Sequence, residues 1–299
     1  MSKQNLPSST LKKKNLLEPG LYIVATPIGN LGDITVRALD ILERADVILC
    51  EDTRVTLKLL RAYDISTHLM AYHDHNASKV RPQIIDRIKS GQIIAQVSDA
   101  GTPLVSDPGF KLVQACVEEN LAVTSLPGAS AVLNALVLSA LPSDKFCFCG
   151  FLPNKSGTRQ NVLSEMKDVP ATLIYYETAP RLLESLQDAL TVLGNRFAVV
   201  ARELTKKFEE VRRGRLSDLV AHYQEQGAPK GEIVLLYAAM DTEEKKRQFS
   251  DQDVTDMLRD AIENKGLKVK QAAALVAEAT GYRKRDLYQQ GVALVKDKE

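Results

Sequence analysis

The strongest constraint on what this chain can fold into lies between Ile93 and Gly109. An apolar run, Ile93-Ile94-Ala95-Gln96-Val97, feeds directly into Ser98-Asp99-Ala100-Gly101-Thr102-Pro103-Leu104-Val105-Ser106-Asp107-Pro108-Gly109, and a new apolar pattern follows. A buried strand delivering a loop to the carboxyl edge of a parallel sheet reads this way, and in open α/β sheets ligands sit at that edge. Gly101 and Gly109 let the backbone approach a ligand or take positive φ, Pro103 and Pro108 stiffen the path, and Asp99 and Asp107 add carboxylates. Taken alone, the stretch fits a strand followed by two tight turns equally well. Its weight comes from repetition.

The same pattern occurs twice more. Gly20 to Ile28 reads as a buried strand ending in Thr26-Pro27-Ile28-Gly29-Asn30-Leu31-Gly32-Asp33, with Asp33 as the expected N-cap of a helix through Ile41 and Leu42. Val123 to Leu126 reads as a strand ending in Pro127-Gly128-Ala129-Ser130-Ala131, which opens an apolar helix through Leu141. Free backbone N–H groups at such a helix start can meet a polar or anionic ligand group. Between these segments, Val47–Cys50 is a strand leading to Glu51-Asp52-Thr53-Arg54. The helix after it carries Arg54, Lys58 and Arg61 on one face, either a solvated surface or a phosphate contact. His73 and His75 are too few to hold a metal and read as loop residues; helices are expected over Val80–Lys89 and Phe110–Glu119.

Leu141-Pro142-Ser143-Asp144 reads as a linker. Beyond it, strands are expected at Phe146–Phe151, Thr172–Tyr176, Phe197–Ala201 and Ile233–Ala238, with helices at Thr158–Met166, Arg181–Val192 and Ser217–Gln226. The division predicted is a disordered arm over 1–18, an N-terminal α/β domain over 19–142, a second α/β domain over 143–240, and a connector with a helical module over 241–299. Gln271–Ala279, Gly281 and Arg283–Gln289 have the look of a small helix-turn-helix bundle.

Composition narrows the function. With Lys+Arg 39 against Asp+Glu 38, a nucleic-acid partner must be met by local basic patches rather than bulk charge. Cys50, Cys116, Cys147 and Cys149 lack metal-ligand spacing and read as buried free thiols of a cytoplasmic protein. No apolar run reaches membrane-spanning length, and Met1 to Glu18 lacks a signal-peptide core. The chain has no G-x-x-x-x-G-K-[ST], no G-x-G-x-x-G after the first strand and no G-x-S-x-G. Gly-rich loops without a dedicated lysine suit a neutral or cationic nucleoside derivative held by backbone and carboxylates.

Six motifs together resemble the ribosomal RNA small subunit methyltransferase I family, of the tetrapyrrole-methylase class. They are Leu21 to Asp33; Glu51-Asp52-Thr53-Arg54; Ser98 to Pro103; Leu126 to Ala131; Tyr176-Glu177 with Pro180-Arg181; and Ala201 to Glu209. The resemblance runs from about Leu21 to about Tyr237. It implies a two-domain tetrapyrrole-methylase-like α/β fold with a small C-terminal helical extension, usually a homodimer. It also implies S-adenosylmethionine as methyl donor, no metal, and methylation of the ribose 2′-hydroxyl of a decoding-centre cytidine in 16S ribosomal RNA. Donor contacts are implied at Pro27, Gly29, Asp99, Ala100, Gly101, Thr102, Ser130, Ala131, Tyr176, Glu177 and Gly231. Where other branches of the class read Gly-Asp-Pro, this chain has Ser98-Asp99-Ala100.

A ribose hydroxyl is a poor nucleophile while protonated, so a positioned base is expected. Lys206 is one candidate, as base or as the charge that holds the anion; it also reads as a phosphate anchor. Glu203, ionised at neutral pH, is the other. Arg202 to Arg215 is rich in cations, which a solvated strand-loop explains as well as RNA does on charge alone; the resemblance turns Arg54, Arg181, Arg202 and Lys207 toward RNA. A tetrapyrrole-ring methylase is the rival enzyme, against which the C-terminal helices weigh. A non-catalytic nucleic-acid binder is disfavoured by the three ligand loops.

Overall fold

The computed structural model describes residues 17–240, Lys246 and residues 249–296. Residues 1–16 of the expected arm and most of the charged connector lie outside the described residues; Leu17 packs against an apolar core and the Glu18 carbonyl accepts from the Tyr22 hydroxyl, so the arm ends before them. The chain forms two compact units, one running through Ala135 and including Glu203–Glu210, the other built from Leu136–Arg202 and Val211 onward.

The first unit holds a five-stranded sheet of β1 (Gly20–Val24), β2 (Val47–Cys50), β3 (Leu69–Ala71), β4 (Ile93–Val97) and β5 (Val123–Leu126), in the order β3-β2-β4-β1-β5. Every pairing is parallel. Such a sheet needs both faces covered, and its strands alternate accordingly. Leu21, Ile23, Val47, Leu49 and Ile94 enter one apolar cluster, while Val24, Ile48, Cys50, Ala95 and Val97 enter another. Around it lie α1 (Val36–Arg44), α2 (Thr53–Ala62), α3 (Ala77–Lys89) and α4 (Phe110–Glu118), while α5 (Ala131–Ser139) runs across the division between the units. The strand order matters for function. β4, β1 and β5 are neighbours and run parallel, so the three Pro/Gly-rich loops leave the sheet side by side at its carboxyl edge.

Two local expectations change. Asp33 caps no α-helix: Leu31–Asp33 is a single 3-10 turn whose cap is Asn30, and Ile34 returns to extended backbone. The cap of α1 is Thr35, whose hydroxyl accepts from Ala38 N at 3.1 Å. Residues 77–79 also join α3, its capping position being Asn76.

The second unit carries a mixed sheet of β6 (Phe146–Phe151), β7 (Thr172–Thr178), β8 (Phe197–Arg202), β9 (Glu210–Arg215) and β10 (Glu232–Tyr237), ordered β6-β7-β10-β8-β9. β6 is parallel to β7, and β10 is antiparallel to both β7 and β8. Its core draws on α6 (Ser156–Met166), α7 (Leu182–Leu193) and α8 (Leu216–Gln226) through Leu163, Leu186 and Leu219. From sequence, β9 reads only as part of a solvated strand-loop; Glu210-Val211-Arg212-Arg213-Gly214-Arg215 lacks an apolar alternation because it lies at the sheet edge. Arg159, 1% exposed, meets Asp188 at 2.6 Å and ties α6 to α7.

Among the described residues after Ser250 lie three helices: α9 (Asp251–Glu263), α10 (Val269–Thr280) and α11 (Lys284–Lys296). They bury their own core of Val254, Leu258, Ala272, Ala273, Val276 and Leu287. Ser250 and Asp253 form a capping box, and Gly281 closes α10 at φ 76°. No helix among the described residues is long and apolar enough to cross a membrane.

Candidate active site

The three loops are sewn together by hydrogen bonds. Thr26 and Gly101 exchange both backbone bonds, Thr26 N to Gly101 O at 2.9 Å and Gly101 N to Thr26 O at 3.0 Å. Thr26 Oγ1 also donates to Ser98 O at 3.0 Å, and Thr102 Oγ1 donates to Ala129 O at 3.2 Å. Loop one is thereby fixed to loop two, and loop two to loop three. Gly101 sits at φ +79°, where a side chain is strained, and its backbone groups are used on Thr26. It is the joint of the site. Leu104 and Ser106, non-glycine residues with φ of 73° and 65°, continue the strained path. Ser130 caps the start of α5, accepting from Leu133 N at its hydroxyl and from Asn134 N at its carbonyl, and Ala131 is the first helical residue.

Asp99 reaches sideways: its carboxylate accepts from Asp52 N at 3.2 Å, joining the main loop to Glu51-Asp52-Thr53-Arg54. Asp52 caps α2 and holds the exposed Arg54 guanidinium at 2.6 Å; these bonds lower its carboxyl to about 2. Acidic groups crowd the same edge. Burial first, and then the charges of Glu51 and Asp99, raise Asp107 to about 6. Burial and the charge of Asp99 also raise Glu51. Such a surround favours a cation.

The Arg-Glu-Leu-Thr-Lys-Lys loop departs from its expected place in the second domain. Glu203–Glu210 belongs to the first unit. Leu204 is buried there, and Glu203 and Thr205 take φ of 49° and 67°, a strained turn. Lys206 Nζ lies 2.9 Å from Glu203 Oε1, and the lysine stem crosses Gly29 in loop one. Lys206 therefore stands against Gly29, and Glu203 is joined to it through the lysine head. Lys207 is exposed and lies 5.6 Å from the centre of the Phe208 ring, itself 62% exposed.

In the second unit, the β7–β10 register sets Tyr176 against Val234 and Glu177 against Ile233, while the β8–β10 register sets Arg202 against Ile233. Gly231, at φ +115°, precedes β10, and Arg202 Nε donates to Lys230 O at 2.7 Å. Tyr176, Gly231 and Arg202 thus share one end of the sheet. Two expected site residues use their side chains within this unit. Glu177 is 2% exposed, and its carboxylate accepts from Thr178 N and Ser185 Oγ, which fixes the turn. Arg181 reaches Glu177 at 3.3 Å and donates to Leu152 O.

His73 and His75 meet edge-on at 5.9 Å, and no group of metal-ligating side chains occurs among the described residues. Cys50 and Cys116 are buried, Cys147 and Cys149 half-buried, and all are free. Sequence reasoning misses Asp52 as the bridge to Asp99 and Thr56 as a wall residue. Thr56 has one visible signal, a hydroxyl on the apolar stripe of α2 with Leu59 and Leu60.

Comparison with known proteins agrees with this geometry. Residues 20–220 match the family model of tetrapyrrole (corrin/porphyrin) methylases, and residues 249–294 match that of the RsmI C-terminal HTH domain. Proteins named ribosomal RNA small subunit methyltransferase I are similar throughout. That of Erythrobacter litoralis is 51% identical over 93% of this chain and 96% of its own, that of Vibrio cholerae 49% over 92% and 94%. Among solved structures, diphthine synthase aligns with a TM-score of 0.60 at 18% identity over 77% of this chain and 96% of its own. Cobalt precorrin-4 methyltransferase aligns at 0.55 and 18%, over 73% and 94%; these two speak for the fold alone. With the sewn loops at one sheet edge and the helical module behind the second sheet in sequence, the chain belongs to the tetrapyrrole methylase family and, within it, to the ribosomal RNA small subunit methyltransferase I group.

Proposed function

We propose that this protein transfers the methyl group of S-adenosylmethionine to the ribose 2′-hydroxyl of a cytidine in the decoding centre of 16S ribosomal RNA, in the cytoplasm. The observation that carries the chemistry is the Glu203–Lys206 pair seated on Gly29, in the same unit as the three sewn loops. The loops fit the donor: they offer backbone rather than lysine, and Asp99, Glu51 and Asp107 surround the edge with carboxylates. When bound, S-adenosylmethionine supplies an electrophilic methyl on a cationic sulfur. In-line displacement then asks the protein for alignment above all. Pro27, Asp99, Ala100, Thr102, Ser130 and Ala131 hold the donor, and Gly101 keeps their loops in register. Glu203 accepts the hydroxyl proton, and the Lys206 ammonium stabilises the oxygen as it gains charge.

RNA is held through its phosphates and by unstacked bases. Arg54 and Lys207 are exposed cations, Phe208 is an exposed ring beside Lys207, and Lys268, Lys270, Arg283 and Lys284 stand on the C-terminal bundle. The protein acts as a homodimer. Phe110 and Val117, 69% and 62% exposed, lie seven residues apart on α4, and Leu133 and Val137 of α5 are 52% and 79% exposed, apolar surface that a second copy would cover. Small subunits lacking the modification, incubated with labelled donor and mapped by nucleotide, test the reading. Label in a base, or in no small-subunit nucleotide, rejects it.

A further inference from the structure

We infer that a cavity between the 3-10 turn at Leu31–Asp33 and α2 receives the target base of the RNA; this rests on the rRNA methyltransferase reading above. The cavity, about 180 Å³ in volume, lies within the first unit. Leu31, Val55 and Leu59 make apolar walls, and Thr56 and Lys58 add polar groups from α2. Thr26, Pro27 and Gly29 of loop one and Ser98 and Asp99 of the main loop complete the lining, so the cavity adjoins the donor loops directly.

Its size argues for one ring. Pockets for drug-sized ligands run to roughly 300–1,000 Å³, so this one is too small for the whole methyl donor. Its cation adds a second point. Lys58 is exposed and forms no ion pair among the described residues, so it attracts a phosphate, while Asp99 marks the part of the lining that suits the cationic donor. Thr56 is 3% exposed and lines the cavity; beside it stands the Cys50 thiol, a weak partner, so the hydroxyl keeps capacity to donate to or accept from a base edge. Enzymes that do chemistry on a base take its nucleotide out of the stack into a pocket, and the same extrusion here would carry the ribose hydroxyl out with it. Gly29 lies on the rim and carries the Lys206 stem, so a base in this cavity leaves its ribose beside Glu203 and Lys206.

The test uses the full protein, S-adenosylmethionine and unmodified small subunits. Val55 is 36% exposed, so Val55→Trp fills the mouth without entering the core. It should leave donor affinity in calorimetry unchanged and slow single-turnover methyl transfer by at least about 100-fold, as a misplaced reacting group does. Lys58→Ala, on the surface, should reduce the slope of log affinity for subunits against log salt by about 0.7–0.9, the signature of one phosphate no longer neutralised. Normal turnover in Val55→Trp, or lost donor affinity in it, overturns the inference, and so does an unchanged salt slope in Lys58→Ala. If wild type itself fails to methylate small subunits, the parent reading falls first; if wild type works and Val55→Trp works equally, only the base site falls.

Discussion

The stem of Lys206 occupies the place a side chain on Gly29 would need: an added Cβ would lie 2.3 Å from Lys206 Cγ and 2.9 Å from its Cε. Gly29 is therefore required by its neighbour as much as by its own φ of +154°. Gly29→Ala forces the lysine off its seat, because the near part of the stem cannot swing aside as a chain end can. The expected stability loss is modest, on the order of 1 kcal/mol, at the low end for overpacking since Lys206 is only half-buried. The loss of rate should be larger, at least about tenfold in single turnover with donor affinity kept. Thermal unfolding and calorimetry on the same sample separate the two.

Asp107 predicts a pH effect of definite sign. Its carboxyl is raised from 3.8 to about 6 by burial and by the charges of Glu51 and Asp99. The protonated form is thus favoured in the folded chain. Stability from this group is full below pH 4 or so and is lost as pH rises through about 6. Asp107→Asn should stabilise the protein at neutral pH, by on the order of 1 kcal/mol once the shift is discounted for partial exposure. The gain should vanish below about pH 4. Melting temperatures of both proteins across pH 4–8 check this. A constant difference across that range would remove Asp107 as its source.

How much of the molecule is legible in its sequence depends on which force sets each feature. The three loops are readable because each pairs an apolar strand with Pro and Gly at its end, a local signature. Their convergence follows from parallel strands being neighbours, which the alternation of strand and helix implies. The position of Glu203–Glu210 is not readable. That segment is polar, and what places it in the first unit is the burial of Leu204 and the bare backbone at Gly29, far away in sequence. The partners of Glu177 and Arg181 are hidden for a similar reason. Nothing in the loop motif names Ser185 or Leu152 O as what the charged pair meets. Thr35 displaces Asp33 as a cap because the 3-10 turn uses up Leu31–Asp33, which no propensity distinguishes from the start of a helix.

The C-terminal bundle has its own core, so its removal should leave the rest folded. Truncation after Met240 is expected to keep S-adenosylmethionine affinity, weaken binding to small subunits, and lower the salt dependence of that binding. Lys268, Lys270, Arg283 and Lys284 are exposed there, while Lys265 is paired with Asp260 at 3.0 Å. Each phosphate that the bundle neutralises should account for about 0.7–0.9 of the slope of log affinity against log salt, and the truncated protein should fall short by that amount per phosphate. Failure of the truncated protein to bind the donor would instead make the bundle part of the donor site.

The Glu203–Lys206 pair offers the sharpest division of roles. At 2.9 Å the carboxylate favours the charged ammonium, so Lys206 is cast as the charge and Glu203 as the proton acceptor. Lys206→Arg keeps the charge but cannot act as a base. If Lys206 supplies charge alone, this variant should retain turnover to within about tenfold, the loss reflecting a bulkier head on the Gly29 seat. Glu203→Gln keeps the shape and removes the base, and should slow single turnover by roughly 100-fold or more with RNA and donor affinity kept. The pH profile adds a readout that packing would not move. With wild type the rate should fall on the acid side as the base is protonated, and in Glu203→Gln that limb should disappear. Collapse in Lys206→Arg together with near-normal turnover in Glu203→Gln would reverse the assignment and make the lysine the base.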